Sequence, residues 1–129
     1  MPQKIEITAD NVQIEAELYD SPTAKSIINI LSIEALAQRW GGEIYFSVSA
    51  KGELEEGCRD VLDAGELGYW PPGSAFCIFF GLTPSSQGDE IRAASAVNII
   101  GKMKGDWSGL WDVPSGGRIV IKTDEGAKE

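Results

Sequence analysis

Histidine is missing from all 129 residues. Its absence removes Ser-His and Cys-His nucleophile pairs, because no imidazole is present to take the hydroxyl or thiol proton near neutral pH. It also removes His-ligated zinc, and the two separated cysteines fall short of a four-thiolate site. No metal and no cofactor is expected. Cys77 lies inside the apolar run Ala75-Phe76-Cys77-Ile78-Phe79-Phe80 and reads as a small buried hydrophobe. Cys58 sits in an acidic, glycine-containing stretch and reads as loop. Neither has the basic surroundings that activate a thiol. No disulfide is expected between them, which favours a reducing, cytoplasmic compartment.

Basic residues are scarce: 11 against 20 acids, for a net charge of −9. Binding to nucleic acid needs Lys and Arg to neutralise phosphates, so neither nucleic acid nor an acidic membrane surface is an expected partner. The excess acid reads as solubility. Long apolar runs are also lacking, so no segment is expected to span a membrane. The start, Met1-Pro2-Gln3-Lys4-Ile5, has no apolar stretch behind its charge and does not read as a signal peptide. What is present is a 43% hydrophobic composition, enough to bury a core in one domain over residues 1–129.

Alternation dominates the pattern. Ile5 and Ile7 alternate with polar residues, Asp10-Asn11 supplies a turn, and Val12, Ile14, Ala16 and Leu18 alternate with Gln13, Glu15 and Glu17. This period of two predicts a hairpin with one wet face. Asp20 or Ser21 can cap a helix whose first turn suits Pro22, with Ala24, Ile27, Ile28 and Leu31 on one face. Residues 32–39 read as a second helical piece or as a loop with strand character. In Glu43–Ser49, Ile44, Phe46 and Val48 face one way and Glu43, Tyr45, Ser47 and Ser49 the other. Residues 53–66 carry six acids and read as a solvated connection. Tyr69-Trp70-Pro71-Pro72-Gly73 reads as a rigid aromatic turn, Ala75–Phe80 as a central strand, and Ala96–Ile100 and Arg118–Lys122 as further strands. Asp106 can cap a short helical turn carrying Trp107, Leu110 and Trp111. The count is six to eight strands and one or two helices, with a frayed tail from about residue 123 to 129.

Several segments carry a family resemblance. IEAELYDSPTAKSIINIL (Ile14–Leu31) is similar to the cyclophilin opening, and VNIIGKMKGDWSGLWDV (Val97–Val113) to its "VFGKV-x-G" segment and capping turn. Four motifs resemble more closely a small prokaryotic cyclophilin-like family of unassigned function, the Thermotoga type. They are WGGEIYFS (Trp40–Ser47), GELGYWPPG (Gly65–Gly73), FFGLTP (Phe79–Pro84) and ASAVNIIGK (Ala94–Lys102). The resemblance covers about residues 4–122. It implies a mainly β fold: a closed, cyclophilin-like β-barrel of mixed, mostly antiparallel strands with one or two capping helices. It implies little about activity, since fold alone does not give function. True cyclophilins use an Arg with aromatic, Gln and His neighbours. The strand that carries Phe-His-Arg in them aligns near Glu43–Phe46, where a carboxylate stands instead. A carboxylate offers a twisting prolyl amide no hydrogen-bond donor, so isomerase activity is not expected.

The expected function is binding of a small metabolite or short peptide in a surface groove lined by Glu43, Tyr45, Tyr69, Trp70, Phe80 and Asn98. The competing structural readings are a solvated strand face for Glu43 and Tyr45, a plugged barrel end for Trp70, and a satisfied buried loop carbonyl for Asn98. Trp107 and Trp111 read as a core cap, and Thr83-Pro84-Ser85-Ser86 as a polar loop. Glu43 with Asp60, Asp63 or Glu66 would make a paired-carboxylate site if the chain brought them together. The alternatives in function are a subunit or accessory domain of an amidohydrolase-type enzyme, and a weak peptidyl-prolyl isomerase. A homo-oligomer or a protein partner is compatible with either.

Overall fold

Each element follows from its local pattern in the computed structural model, which describes residues 2–124. Strands β1 (Gln3–Ala9) and β2 (Val12–Leu18) form the expected hairpin, with Ile5 opposite Ala16 and Ile7 opposite Ile14. Asp10 takes the positive φ of 51° that its turn requires, and its carboxylate accepts the Arg118 backbone N–H at 2.8 Å. Helix α1 (Pro22–Asn29) is capped by Ser21, whose Oγ accepts the Ala24 N–H at 3.2 Å, and Pro22 opens its first turn. Residues 32–39 resolve as strands β3 (Ile33–Leu36) and β4 (Gln38–Arg39). Then come β5 (Glu43–Ser47), β6 (Arg59–Leu62), β7 (Glu66–Trp70), a 3-10 turn over Pro71–Gly73, and β8 (Ala75–Phe79). Strand β9 (Ile91–Lys104), a 3-10 turn over Ser108–Asp112 and β10 (Arg118–Thr123) complete the chain. Asp106 does serve that last turn, accepting the Ser108 N–H at 2.9 Å.

Two expectations about length are corrected. The acidic stretch 53–66 contains β6 and the start of β7, and the strand expected over Ala96–Ile100 runs for 14 residues. Thr123 belongs to β10, and the Asp124 N–H donates to the Lys4 carbonyl at 3.0 Å. The rest of the expected frayed tail lies outside the described residues.

The strands form one sheet in the order β3-β10-β1-β2-β9-β7-β8-β5-β4, with β6 pairing β9 off this path. Every pairing among the described residues is antiparallel, so the mixed character expected of the sheet is not seen. Nor does the hydrogen-bonded path close. Its two ends, β3 and β4, meet through Ala37, whose N–H donates to the Gly117 carbonyl (2.7 Å) and whose carbonyl accepts the Gly116 N–H (2.8 Å). The linking backbone is spent on that loop, and no ladder joins β3 to β4. The fold is thus a mainly β, antiparallel sheet curled around a core, open at this seam.

The sheet is buried on both faces where it matters for the site. On one face, Ile5, Ile7, Ile14, Leu18, Ile44, Phe46, Leu67, Tyr69, Phe76, Ile78 and Phe80 join the main core with Ala24 and Ile27 of α1. On the opposite face of β5, β7, β8 and β9 lies a second apolar layer of Leu62, Ala75, Cys77, Phe79, Ile91, Ala93 and Val97. Strand β8 is therefore buried at all five positions, as a strand with core on both faces must be.

Candidate functional site

The site starts from a two-residue turn. In Trp40-Gly41-Gly42-Glu43, the Trp40 N–H donates to the Glu43 carbonyl (2.9 Å) and the Glu43 N–H to the Trp40 carbonyl (3.2 Å). Gly41 takes φ +61°, which a side chain there would strain. Gly42 lies against the end of β8: a Cβ on it would fall 2.2 Å from the Gly81 carbonyl carbon. The Gly42 carbonyl accepts the N–H groups of both Phe80 and Gly81. Trp40 and Glu43 are thereby held directly opposite one another, on the same face.

Alternation along β5 then sends Ile44 and Phe46 into the main core and Glu43 and Tyr45 into the second layer. Across the ladder Tyr45 pairs with Cys77 of β8, and Cys77 with Gly68 of β7. Trp70 ends β7 on this same side. Its indole Nε1 donates to Ser95 Oγ at 2.6 Å, and its ring edge lies so close to Gly73 that a Cβ there would be 2.9 Å from Cζ3. Trp40, Glu43, Tyr45, Trp70, Cys77, Ala93, Ala94 and Val97 line one cavity of about 260 Å³.

Glu43 is the electrostatic centre of this cavity. It is 6% exposed, whereas the sequence pattern suggested a groove or solvated carboxylate. Burial disfavours its charged form and raises its pKa from 4.5 to about 7, against a smaller opposing effect from the adjacent Cys77 thiol. Burial and then the neighbouring Glu43 push the Cys77 thiol well above its ordinary value. The thiol therefore stays protonated, donating to the Ala75 carbonyl at 3.7 Å, and is not a nucleophile. The cavity lining contains one acid and no Lys or Arg.

Of the six residues expected to form the site, Glu43, Tyr45 and Trp70 come together, and the other three lie elsewhere. Tyr69 follows strand parity into the main core, where its hydroxyl donates to the Ala50 carbonyl at 2.8 Å. Phe80 is also in the main core, edge-on to Trp111 with ring centroids 4.8 Å apart, and the Arg39 guanidinium lies 5.2 Å over its ring. Asn98 is 2% exposed and serves the loop before β6. Its amide oxygen accepts the Glu55 N–H at 2.8 Å, and its nitrogen donates to the Glu53 carbonyl at 2.9 Å and to Thr23 Oγ1 at 3.1 Å. That is the structural role weighed against a ligand contact from the sequence. The paired-carboxylate idea finds no geometry, since Asp60 pairs with Arg92 and Glu66 with Arg59, and none of Asp60, Asp63 and Glu66 lines the cavity.

A larger and more open depression of about 610 Å³ runs beside α1, between Pro22, Thr23 and Ser26 and the loop Lys51–Glu55, with Tyr69 at its edge. Its most buried polar groups are already committed: Glu55 accepts from both the backbone N–H and the hydroxyl of Thr23. It holds no charged group left buried without compensation, and we regard the smaller cavity as the candidate site. Sequence reasoning missed Trp40, Cys77, Ala93, Ala94 and Val97. For Trp40 the signal was available, because a Gly-Gly pair between strand patterns sets its two flanking residues opposite each other. Among the described residues no cluster of three or more Cys, Asp or Glu is placed to hold a metal ion, and no helix is long and apolar enough to cross a membrane.

The architecture is thus an antiparallel sheet with one helix after its first hairpin and a second apolar layer that carries the buried Glu43. The family model described as "Cyclophilin-like" matches residues 3–122, and the chain belongs to that family. Among solved structures it is similar to a hypothetical protein from Archaeoglobus fulgidus, determined in solution, with 40% sequence identity, 95% of each chain covered and a TM-score of 0.80. No curated protein matches the sequence.

Proposed function

We propose that this cyclophilin-like domain is a binding module that takes a compact small molecule, or one side chain of a short peptide, in the Trp40–Glu43–Tyr45–Trp70 cavity, and that it does not isomerise prolyl bonds. The observation that carries the reading is a buried carboxylate with no cationic partner in a cavity otherwise walled by aromatic and small apolar groups. Leaving a carboxylate buried and unpaired costs several kcal/mol unless the group neutralises or finds a counter-charge, so such a site favours a cationic or hydrogen-bond-donating ligand and resists phosphates. A volume of about 260 Å³ lies just below the usual range for drug-sized ligands, which selects for a compact guest.

Prolyl isomerisation is disfavoured on the same ground. Arg39, the arginine nearest in sequence, spends its guanidinium on the carbonyls of Gly41, Trp111 and Val113. It is therefore not free to donate to a substrate amide. Two free cysteines, one of them only partly buried, support a reducing, cytoplasmic setting. The test is a thermal-shift screen of small amines, amides, carboxylates and inorganic phosphate. Amines or amides are expected to raise the melting temperature. Stabilisation by anions alone would overturn the reading.

A further inference from the structure

We propose that the cavity is an aromatic cage for an alkylated ammonium group, such as a trimethylammonium head. The proposal rests on the binding reading above and names its ligand class. Three aromatic side chains from three places in the fold meet at one cavity: Trp40 from the β4–β5 turn, Tyr45 from β5 and Trp70 from the end of β7. Aromatic faces attract a cation through the ring quadrupole, most strongly for tryptophan and most of all where water is excluded. Glu43 is the only acid in the lining, and a cation in the cavity would favour its charged form.

The rest of the lining separates alkylated from primary ammonium. A primary ammonium carries three N–H donors that need acceptors once water is stripped away. Besides the Glu43 carboxylate and the Tyr45 hydroxyl, the walls are Cys77, Ala93, Ala94 and Val97, whose side chains offer little to accept a hydrogen bond. A quaternary head has no donors to satisfy. It presents methyl groups to the small apolar walls and charge to the rings and to Glu43. The cage is also held in place before any ligand arrives. Trp70 is pinned by Ser95 and Gly73, and Trp40 and Glu43 are locked across a turn that Gly42 clamps to β8.

The experiment is a calorimetric titration with choline, with its uncharged isostere 3,3-dimethylbutan-1-ol, and with ethanolamine. Choline is expected to bind, with the isostere and ethanolamine each at least tenfold weaker. Trp70→Ala and Glu43→Gln should each weaken choline binding at least fivefold. Trp40→Leu, at a partly exposed turn position, provides a second cage variant should Trp70→Ala fold poorly. If the isostere binds as well as choline, the cage is wrong and the cavity is a plain apolar site, with the binding reading intact. If choline fails while ethanolamine or a simple amide binds in the same cavity, the cage again falls and the binding reading stands. If choline, the isostere, ethanolamine and the whole amine and amide screen fail to bind, both fall.

Discussion

The Glu43 carboxylate of β5 is buried beside the Cys77 thiol of β8, whose own hydrogen bond goes to the Ala75 carbonyl at 3.7 Å, inside a layer of apolar side chains. Little offsets the cost of burying the acid, so at neutral pH Glu43 stands near the midpoint of its titration.

This has a direct consequence for stability. The unfolded chain releases the Glu43 proton near 4.5 and the folded chain near 7. The stability associated with the protonated form is therefore fully present below pH 4.5 and is lost as the pH rises to about 7. Glu43→Gln cannot ionise. It is expected to match the parent near pH 4 and to exceed it above pH 7, by up to about 3 kcal/mol. Chemical denaturation at pH 4 and pH 8 reads this, and a variant less stable than the parent at pH 8 would contradict it.

Asn98 is expected to behave as a structural residue. Asn98→Ala leaves the Glu55 N–H and the Glu53 carbonyl without their partner and removes the donor to Thr23 Oγ1, whose hydroxyl keeps its bond to Glu55. A loss of about 2–3 kcal/mol is expected. Amide exchange at Glu55 should quicken, while binding in the Glu43 cavity is kept. Unchanged stability with lost binding would make Asn98 a ligand residue after all.

No acceleration of prolyl isomerisation is expected. An Ala-Pro peptide should isomerise at its uncatalysed rate, on the order of tens of seconds at 25 °C, with micromolar protein present. A clear rate increase would contradict the account, in which the Arg39 guanidinium is engaged by the carbonyls of Gly41, Trp111 and Val113.

Much of this fold was legible in the sequence where one face of a strand is wet. Val12–Leu18 alternates strictly because its partner face is solvent, and Ser21-Pro22 carries both signals of a helix start. Strand β6 was hidden because it lies outside the main path, paired only with β9 and exposed at Arg59 and Val61, so its acids resemble those of a loop. The first part of β9 was hidden because Ala93, Ala94 and Ser95 have little strand preference of their own, and they fall in the register shift of the β6–β9 ladder, between the pairs Val61–Arg92 and Arg59–Val97. Barrel closure depends on where the Ala37 backbone finds its partners, which no local pattern encodes. Half of the candidate site was readable for the same reason that the other half was misplaced. Alternation puts Glu43 and Tyr45 together, and it also forbids the consecutive residues Tyr69 and Trp70 from sharing a face. Phe80 has the same parity as Phe76 and Ile78, and so points into the main core.

The most direct measurement follows the four tryptophan indole N–H signals by NMR during a choline titration. Trp40 and Trp70 line the cavity, whereas Trp107 packs against the main core and Trp111 lies over Phe80 and Gly81. The indole signals of Trp40 and Trp70 should move in a saturable way, together with the amides of Cys77 and Val97, while those of Trp107 and Trp111 stay in place. Shifts confined to Trp107 and Trp111, or to residues 22–26 and 51–55 beside α1, would contradict the account.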